Sequence, residues 1–233
     1  VLGSPRDDAA LRAFLATVDV ACFESEFQPA AQLEANAAGL EVVFRPSLEA
    51  LATTQDKLEQ KALYQRLGIA TSPFIALPEE VTGDAAAALQ WLRGAAESVG
   101  EAPVLKWARL GYDGKGTFFA PRSAEAVDLA ALQAFLDAAR ERATPVFAEE
   151  RVDFVRELAI VVSADLQGEQ VAYPLVVSEQ EAGICKRVFG PAQRWGVAAS
   201  LEREAREMAA KIVSGLGLVG SFALEFFQTA RGE

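Results

Sequence analysis

Between residues 145 and 189 the chain sets four strand-like runs one after another, joined only by short connections. This texture constrains the fold more than any other feature. The runs cover 145–148, 158–164, 170–177 and 184–189, with Gln167-Gly168-Glu169 reading as a hairpin turn. Successive strands of this kind predict a largely antiparallel sheet. The beginning of the chain reads differently. Leu11, Phe14, Leu15 and Val18 recur at helical spacing, which predicts an amphipathic helix over about 7–17. A short buried strand at 18–23, a helix over 30–38 stopped by Gly39, and a strand at 41–44 follow. Such alternation marks a parallel sheet, and it starts abruptly, as a fraction of a doubly wound domain. Between these regions, 47–67 is helical with Gly68 as its cap. Residues 73–77 read as a strand and 84–99 as an alanine-rich helix. Leu129, Leu132, Phe135 and Leu136 form the apolar face of a helix over 123–142. A helix over 201–216, capped by Gly217, and a strand over 219–227 complete the chain. The expected fold class is α+β, in part α/β, with a small sheet able to hinge against a larger one.

The stretch Lys106-Trp107-Ala108-Arg109-Leu110-Gly111-Tyr112-Asp113-Gly114-Lys115-Gly116-Thr117 lies between two strand-like runs. Glycine permits positive φ and close approach of backbone to a ligand. Successive exposed N–H groups form a concavity suited to anions, and the flanking lysines add positive charge. The stretch matches neither of the common glycine-rich phosphate motifs and leads into a strand rather than a helix. It reads either as a mobile hairpin that closes over a nucleotide or as an ordinary glycine-rich hairpin.

Composition narrows the chemistry. A formal net charge of -11 argues against binding nucleic acid or an anionic membrane surface. No apolar run approaches the roughly 20 residues of a membrane helix. Residues 1–8 lack the basic and apolar regions of a signal peptide, and Cys22 and Cys185 lie too far apart to suggest a disulfide framework, so a cytoplasmic protein is expected. There is no histidine. Imidazole catalysis, serine–histidine triads and histidine-bound metals are therefore excluded within this chain. What remains is carboxylate, lysine and arginine chemistry with a hard, oxygen-bound metal such as Mg²⁺.

Several motifs then line up with one family. Gln55-Asp56-Lys57…Lys61, Leu67-Gly68-Ile69-Ala70-Thr71-Ser72-Pro73-Phe74 and Lys106…Gly111-Tyr112-Asp113-Gly114-Lys115-Gly116 resemble the ATP-grasp enzymes. Asp19-Val20…Phe23-Glu24…Glu26…Pro29, Val152-Asp153-Phe154…Arg156-Glu157-Leu158, Tyr173-Pro174-Leu175 and Val219-Gly220…Ala223-Leu224-Glu225 support the match. Within the family it is most similar to the N5-carboxyaminoimidazole ribonucleotide synthetases of purine biosynthesis. The resemblance implies an ATP-grasp domain over 48–233, with 72–148 as its smaller lid and 149–233 as its larger sheet, cut short at the C-terminal end. Residues 1–47 would be part of a preceding Rossmann-like domain.

The resemblance also implies roles. Lys106 would contact the nucleotide phosphates, and Lys57, Gly111, Gly114 and Gly116 would belong to the nucleotide site. Glu149 and Glu157 would hold the adenine amino group and the ribose hydroxyls, with the backbone at Arg151 and Val152 reading the adenine edge. Glu225 would be a Mg²⁺ ligand; its apolar neighbours favour a carboxylate that is paired or metal-bound, whereas strand alternation would instead point it to solvent. Tyr112, Asp113 and Lys115 would meet the reacting groups; Glu24 and Glu26 would line the substrate site with Tyr112 and Asp113. The implied reaction uses ATP and Mg²⁺ to convert bicarbonate to carboxyphosphate and to carboxylate aminoimidazole ribonucleotide. A homodimer is left open. The match departs at Phe27, Ser178 and Gln180, where the family pattern has Asn, Asn and His. Those departures motivate a second reading, a diverged carboxylate–amine ligase with another acceptor, and a third, a non-catalytic nucleotide-binding module.

Overall fold

The computed structural model describes residues 3–111, 115–123, 126–181 and 183–232. The first elements are α1 (Asp8–Leu15), β1 (Val20–Cys22), α2 (Ala30–Ala37), β2 (Val43–Arg45), α3 (Leu48–Gln55) and α4 (Lys57–Arg66). Next come β3 (Phe74–Ala76), α5 (Ala85–Gly94), α6 (Ala96–Val99), β4 (Val104–Trp107), β5 (Thr117–Phe119), α7 (Leu129–Glu141) and β6 (Val146–Glu149). The last are β7 (Phe154–Ala164), β8 (Gln170–Ala172), β9 (Val176–Glu181), β10 (Ile184–Phe189), α8 (Ala199–Leu216) and β11 (Gly220–Thr229). The chain divides into two compact units. Val1–Leu67, Ala159–Val176 and Gly190–Glu225 make the first; Gly68–Leu158, Val177–Phe189 and Phe226–Glu233 make the second.

In the first unit, α1 starts where Asp7 caps it, its carboxylate accepting from the N–H groups of Ala9 and Ala10. Leu11 and Leu15, one turn apart, bury with Ala21, Leu33 and Leu51. β1 and β2 pair in parallel. Only Ala21 of β1 is buried, so the strand expected to be buried is covered on one face alone. The single helix expected over 47–67 is two. Asp56 has an extended backbone and accepts from the N–H groups of Leu58 and Glu59, capping α4 and ending α3. A short acidic side chain competes with the helical backbone for these donors. At the far end of the chain, α8 stops at Gly217, which takes the left-handed conformation.

In the second unit, a four-stranded sheet runs β3-β6-β4-β5, antiparallel throughout. The strand at 145–148, expected to lead the antiparallel series, joins this sheet instead. All four residues of β6 are buried, as a central strand requires. α5 and α7 cover one face, where Leu92, Leu105, Trp107, Leu132, Leu136 and Val146 form the core. α7 begins only at Leu129, capped by Asp128, so Leu129 is exposed rather than part of the apolar face.

A five-stranded sheet follows the order β10-β9-β7-β11, with β8 paired to β7. The turn predicted at 167–169 is present, with Gly168 at φ 81 and Asp165 accepting from the N–H groups of Gln167 and Glu169. The strand expected over 170–177 is interrupted between β8 and β9, where Pro174 has no N–H for a ladder. No helix among the described residues is long and apolar enough to cross a membrane.

Candidate active site

The registers of β3, β6, β4 and β5 lay out two rows of side chains on the sheet face turned away from the α5–α7 core. Phe74, Glu149, Val104 and Phe119 stand opposite one another in the first row; Ala76, Phe147, Lys106 and Thr117 form the second. Side chains directly opposite in an antiparallel pair share a face. Lys106 and Glu149 are therefore diagonal neighbours on adjacent strands. Their side chains meet, with Lys106 Nζ 2.5 Å from Glu149 Oε1. The other carboxylate oxygen accepts from the Ser72 hydroxyl at 3.1 Å. Glu149 is only 7% exposed, and a buried carboxylate of this kind stays ionised only with such partners. The Lys106 side chain keeps 26% of its surface exposed.

The glycine-rich stretch is anchored at both roots. On one side, the Ala108 N–H donates to Pro145 O at 2.8 Å, and the Arg109 N–H to Thr144 Oγ1 at 2.9 Å. The Arg109 guanidinium reaches Ala143 O at 2.9 Å. Leu110 then takes φ 63, a turn into the loop that few non-glycine residues adopt. On the other side, the Trp107 N–H donates to Gly116 O at 2.9 Å. Gly116 has φ 74, and a Cβ there would lie 2.7 Å from the Trp107 ring, so both its conformation and its space call for glycine. Gly111 is half-buried and Lys115 exposed, while Tyr112, Asp113 and Gly114 lie outside the described residues.

This is a phosphate-compatible arrangement: a strand lysine oriented by a buried carboxylate, next to a loop with firm roots. The ATP-grasp domain profile matches residues 62–233. The chain belongs to the ATP-grasp family. N5-carboxyaminoimidazole ribonucleotide synthase of Mycobacterium leprae (strain TN) is 35% identical over 235 residues, covering 100% of this chain and 50% of that protein. The carboxyaminoimidazole ribonucleotide synthase structure from Aspergillus clavatus complexed with ATP matches with a TM-score of 0.82 at 30% identity, covering 100% of this chain and 56% of that one. An Aspergillus clavatus structure of N5-carboxyaminoimidazole synthase with ADP and 5-aminoimidazole ribonucleotide matches at 0.78 and 28%, covering 99% and 55%. The chain thus spans about half the length of these relatives. The expected ATP-grasp fold, with its mixed α and β elements, is the one observed.

The other residues singled out in the ATP-grasp sequence fall as follows. Arg151 and Val152 lie in the connection from β6 to β7, tied down by the Glu150 N–H donating to Pro73 O at 2.9 Å. The Arg151 guanidinium stands 5.4 Å from the centre of the Phe119 ring, a cation–π contact. Glu157 is half-buried on β7, before buried Leu158. In the first unit, Lys57 opens α4 and is half-buried. Glu24 and Glu26 are exposed after β1. Glu24 lines a cavity of about 350 Å³ with Cys22, Phe23 and Phe44, and the two phenylalanine rings stack at 5.8 Å. The Gln55 side-chain amide fixes the backbone at Glu26 and Gln28.

Glu225 corrects an expectation. Its apolar neighbours suggested burial, but on β11 Leu224 points inward and Glu225 is exposed, sharing a strand face with Ser221. Among the described residues no group of three Asp, Glu or Cys side chains is arranged to hold a metal. Mg²⁺ bound largely through phosphate oxygens and water takes only one or two carboxylates, and an exposed Glu225 fits that role. Sequence reasoning gave Ser72, Phe119 and Thr144 no part. Ser72 lay inside a motif already singled out, and alternation from Lys106 through the hairpin could have marked Phe119. Thr144 carried no signal.

Proposed function

We propose that this chain serves an ATP-dependent carboxylation of 5-aminoimidazole ribonucleotide with bicarbonate in purine biosynthesis, in the cytoplasm and with Mg²⁺ bound partly through Glu225. The observation that carries the nucleotide reading is the Lys106–Glu149 pair on the face of the β3-β6-β4-β5 sheet turned away from the α5–α7 core, at the root of the glycine-rich loop. The acceptor is argued from the relatives: one named N5-carboxyaminoimidazole ribonucleotide synthase aligns with 100% of this chain, and a structure complexed with ADP and 5-aminoimidazole ribonucleotide aligns with 99% of it. ATP and Mg²⁺ would supply the phosphoryl group and the charge neutralisation that activate bicarbonate. The chain's own residues would do the rest. Lys106, held by Glu149, offsets phosphate charge at a fixed point, which is the preorganisation that makes electrostatic stabilisation effective. Glu149, Glu157 and the Arg151–Val152 backbone would select the nucleoside, and Tyr112, Asp113 and Lys115 would meet the aminoimidazole substrate and the reacting phosphate.

The test is ADP release with ATP, Mg²⁺ and bicarbonate, with and without aminoimidazole ribonucleotide. Release that depends on both co-substrates is expected. A second reading, a ligase with another acceptor, draws support from Ser178. It is buried within β9 opposite Val188, with Gln180 two residues further along the same strand face. ADP release indifferent to aminoimidazole ribonucleotide but responsive to another amine would favour it and reject the first.

A further inference from the structure

We infer that Ser72 is a positioning residue of the nucleotide site, holding Glu149 so that the Lys106 ammonium is presented to phosphate; the inference rests on the nucleotide reading above. Glu149 is engaged from two sides. Lys106 reaches Oε1 from β4, while the Ser72 hydroxyl donates to Oε2 from the segment that leads into β3. β4 and β3 are the two strands that flank β6, with Val104 and Phe74 both opposite Glu149. Lys106 and Ser72 thus grip the carboxylate from the two sides of its strand, one a charged donor and the other neutral.

The two donors differ in what they can do when an anion arrives. An ammonium has three N–H donors and can share its charge between Glu149 and a phosphate. The less support Glu149 has apart from Lys106, the more that sharing costs, because a buried carboxylate that loses a donor is left with an unmet desolvation penalty. Ser72 supplies support that does not depend on Lys106. Without its hydroxyl, Glu149 draws Lys106 more tightly, and phosphate binding weakens. Ser72 touches no reacting atom; it acts through Glu149 and then Lys106.

The experiment is calorimetry with a non-hydrolysable ATP analogue and Mg²⁺ on the parent chain, Ser72→Ala and Ser72→Thr, each with Lys106 present and as Lys106→Met. Ser72→Ala should weaken binding about 3- to 10-fold, the share of a charged hydrogen bond transmitted through one intermediary. Ser72→Thr keeps the hydroxyl and should stay within about twofold of the parent. With Lys106→Met, Ser72→Ala should cost clearly less than in the parent, because the path to phosphate is cut and only the nucleoside contact of Glu149 is left to disturb. Unchanged affinity in Ser72→Ala, or an equal loss in both backgrounds, overturns the inference and leaves Ser72 as local packing. A ligand-free cycle checks the first link. Ser72→Ala should lower the melting temperature by about 2–4 °C with Glu149 present and much less in Glu149→Ala, where the hydroxyl has lost this acceptor; additive shifts overturn the Ser72 assignment alone. A parent chain that binds no nucleotide overturns the site reading, and this inference with it.

Discussion

Gly116 offers a measurable test of how the glycine-rich loop is rooted. Its φ of 74 and the 2.7 Å separation between an added Cβ and the Trp107 ring carbons leave two problems for any larger residue. The ring has little freedom to yield. Trp107 Nε1 donates to Phe135 O at 3.3 Å, the indole stacks on Phe135 at 5.7 Å, and the Arg142 guanidinium lies 5.0 Å from the ring centre. Gly116→Ala should therefore incur the left-handed conformation of an L-residue, about 1–2 kcal/mol, and overpacking of about 1–3 kcal/mol. Together these give roughly 2–5 kcal/mol. Gly196 isolates the first contribution. It is left-handed at φ 79 and ψ 17, with nothing within 4 Å of an added Cβ. Urea unfolding followed by tryptophan fluorescence and circular dichroism should show Gly116→Ala losing at least about 1 kcal/mol more than Gly196→Ala. In a Trp107→Leu background that excess should shrink, since the obstructing ring is gone. Equal losses at the two glycines, or an excess untouched by Trp107→Leu, would refute the argument that the indole and the loop root are packed as one piece.

Three further outcomes are expected. Lys106→Met removes a cation that contacts a buried carboxylate and should lower the urea-unfolding free energy by about 1–3 kcal/mol, discounted for the partial exposure of Lys106, while Glu149→Gln costs less because Ser72 can still donate to an amide oxygen. Burial pushes the Tyr64 phenol above its ordinary value. Its contribution is then complete below the unfolded phenol's range near about 10 and is lost as pH rises through the folded value. Urea midpoints measured over about pH 8 to 11 should fall for the parent and stay flatter for Tyr64→Phe. Asp56→Ala removes the cap of α4 and should lower stability by about 1 kcal/mol in the same denaturation assay, with no loss if α3 and α4 were one continuous helix.

Much of the fold was legible because it depends on local periodicity. The apolar spacing of Leu11 and Leu15, the strand-like run over 158–164 and the glycine stops at Gly68 and Gly217 each report on residues within a turn or two of themselves. Mistakes occurred where a competing short-range bond outweighed periodicity. Asp56 interrupts a helical pattern that is otherwise unbroken from 47 to 67, and its side chain, not its neighbours' hydrophobicity, decides the outcome. The assignment of 145–148 failed for another reason. A short apolar run states that a strand is central, but not to which sheet it belongs. Glu225 shows how neighbours mislead. Apolar residues on both sides of a strand carboxylate say nothing of its own face, because alternation sends it the other way from Leu224.

The candidate site depends on register more than on any motif. Lys106 was visible as a lysine beside a glycine-rich loop, and Glu149 as an acidic residue ending a strand; nothing in either segment says that they meet. Their meeting follows from the pairing of Leu105 with Ala148 and of Trp107 with Val146, all four buried in the α5–α7 core. A slip of one residue would turn Trp107 out of that core and drive Lys106 into it, a loss of burial that the sheet cannot tolerate. The face packed against α5 and α7 thus fixes the opposite one: its side chains determine which carboxylate the lysine faces. The same register places Phe74 opposite Glu149 and so brings Ser72, just ahead of β3, within reach of the remaining oxygen. The charged pair and its hydroxyl support are then one consequence of how four strands bury their other side.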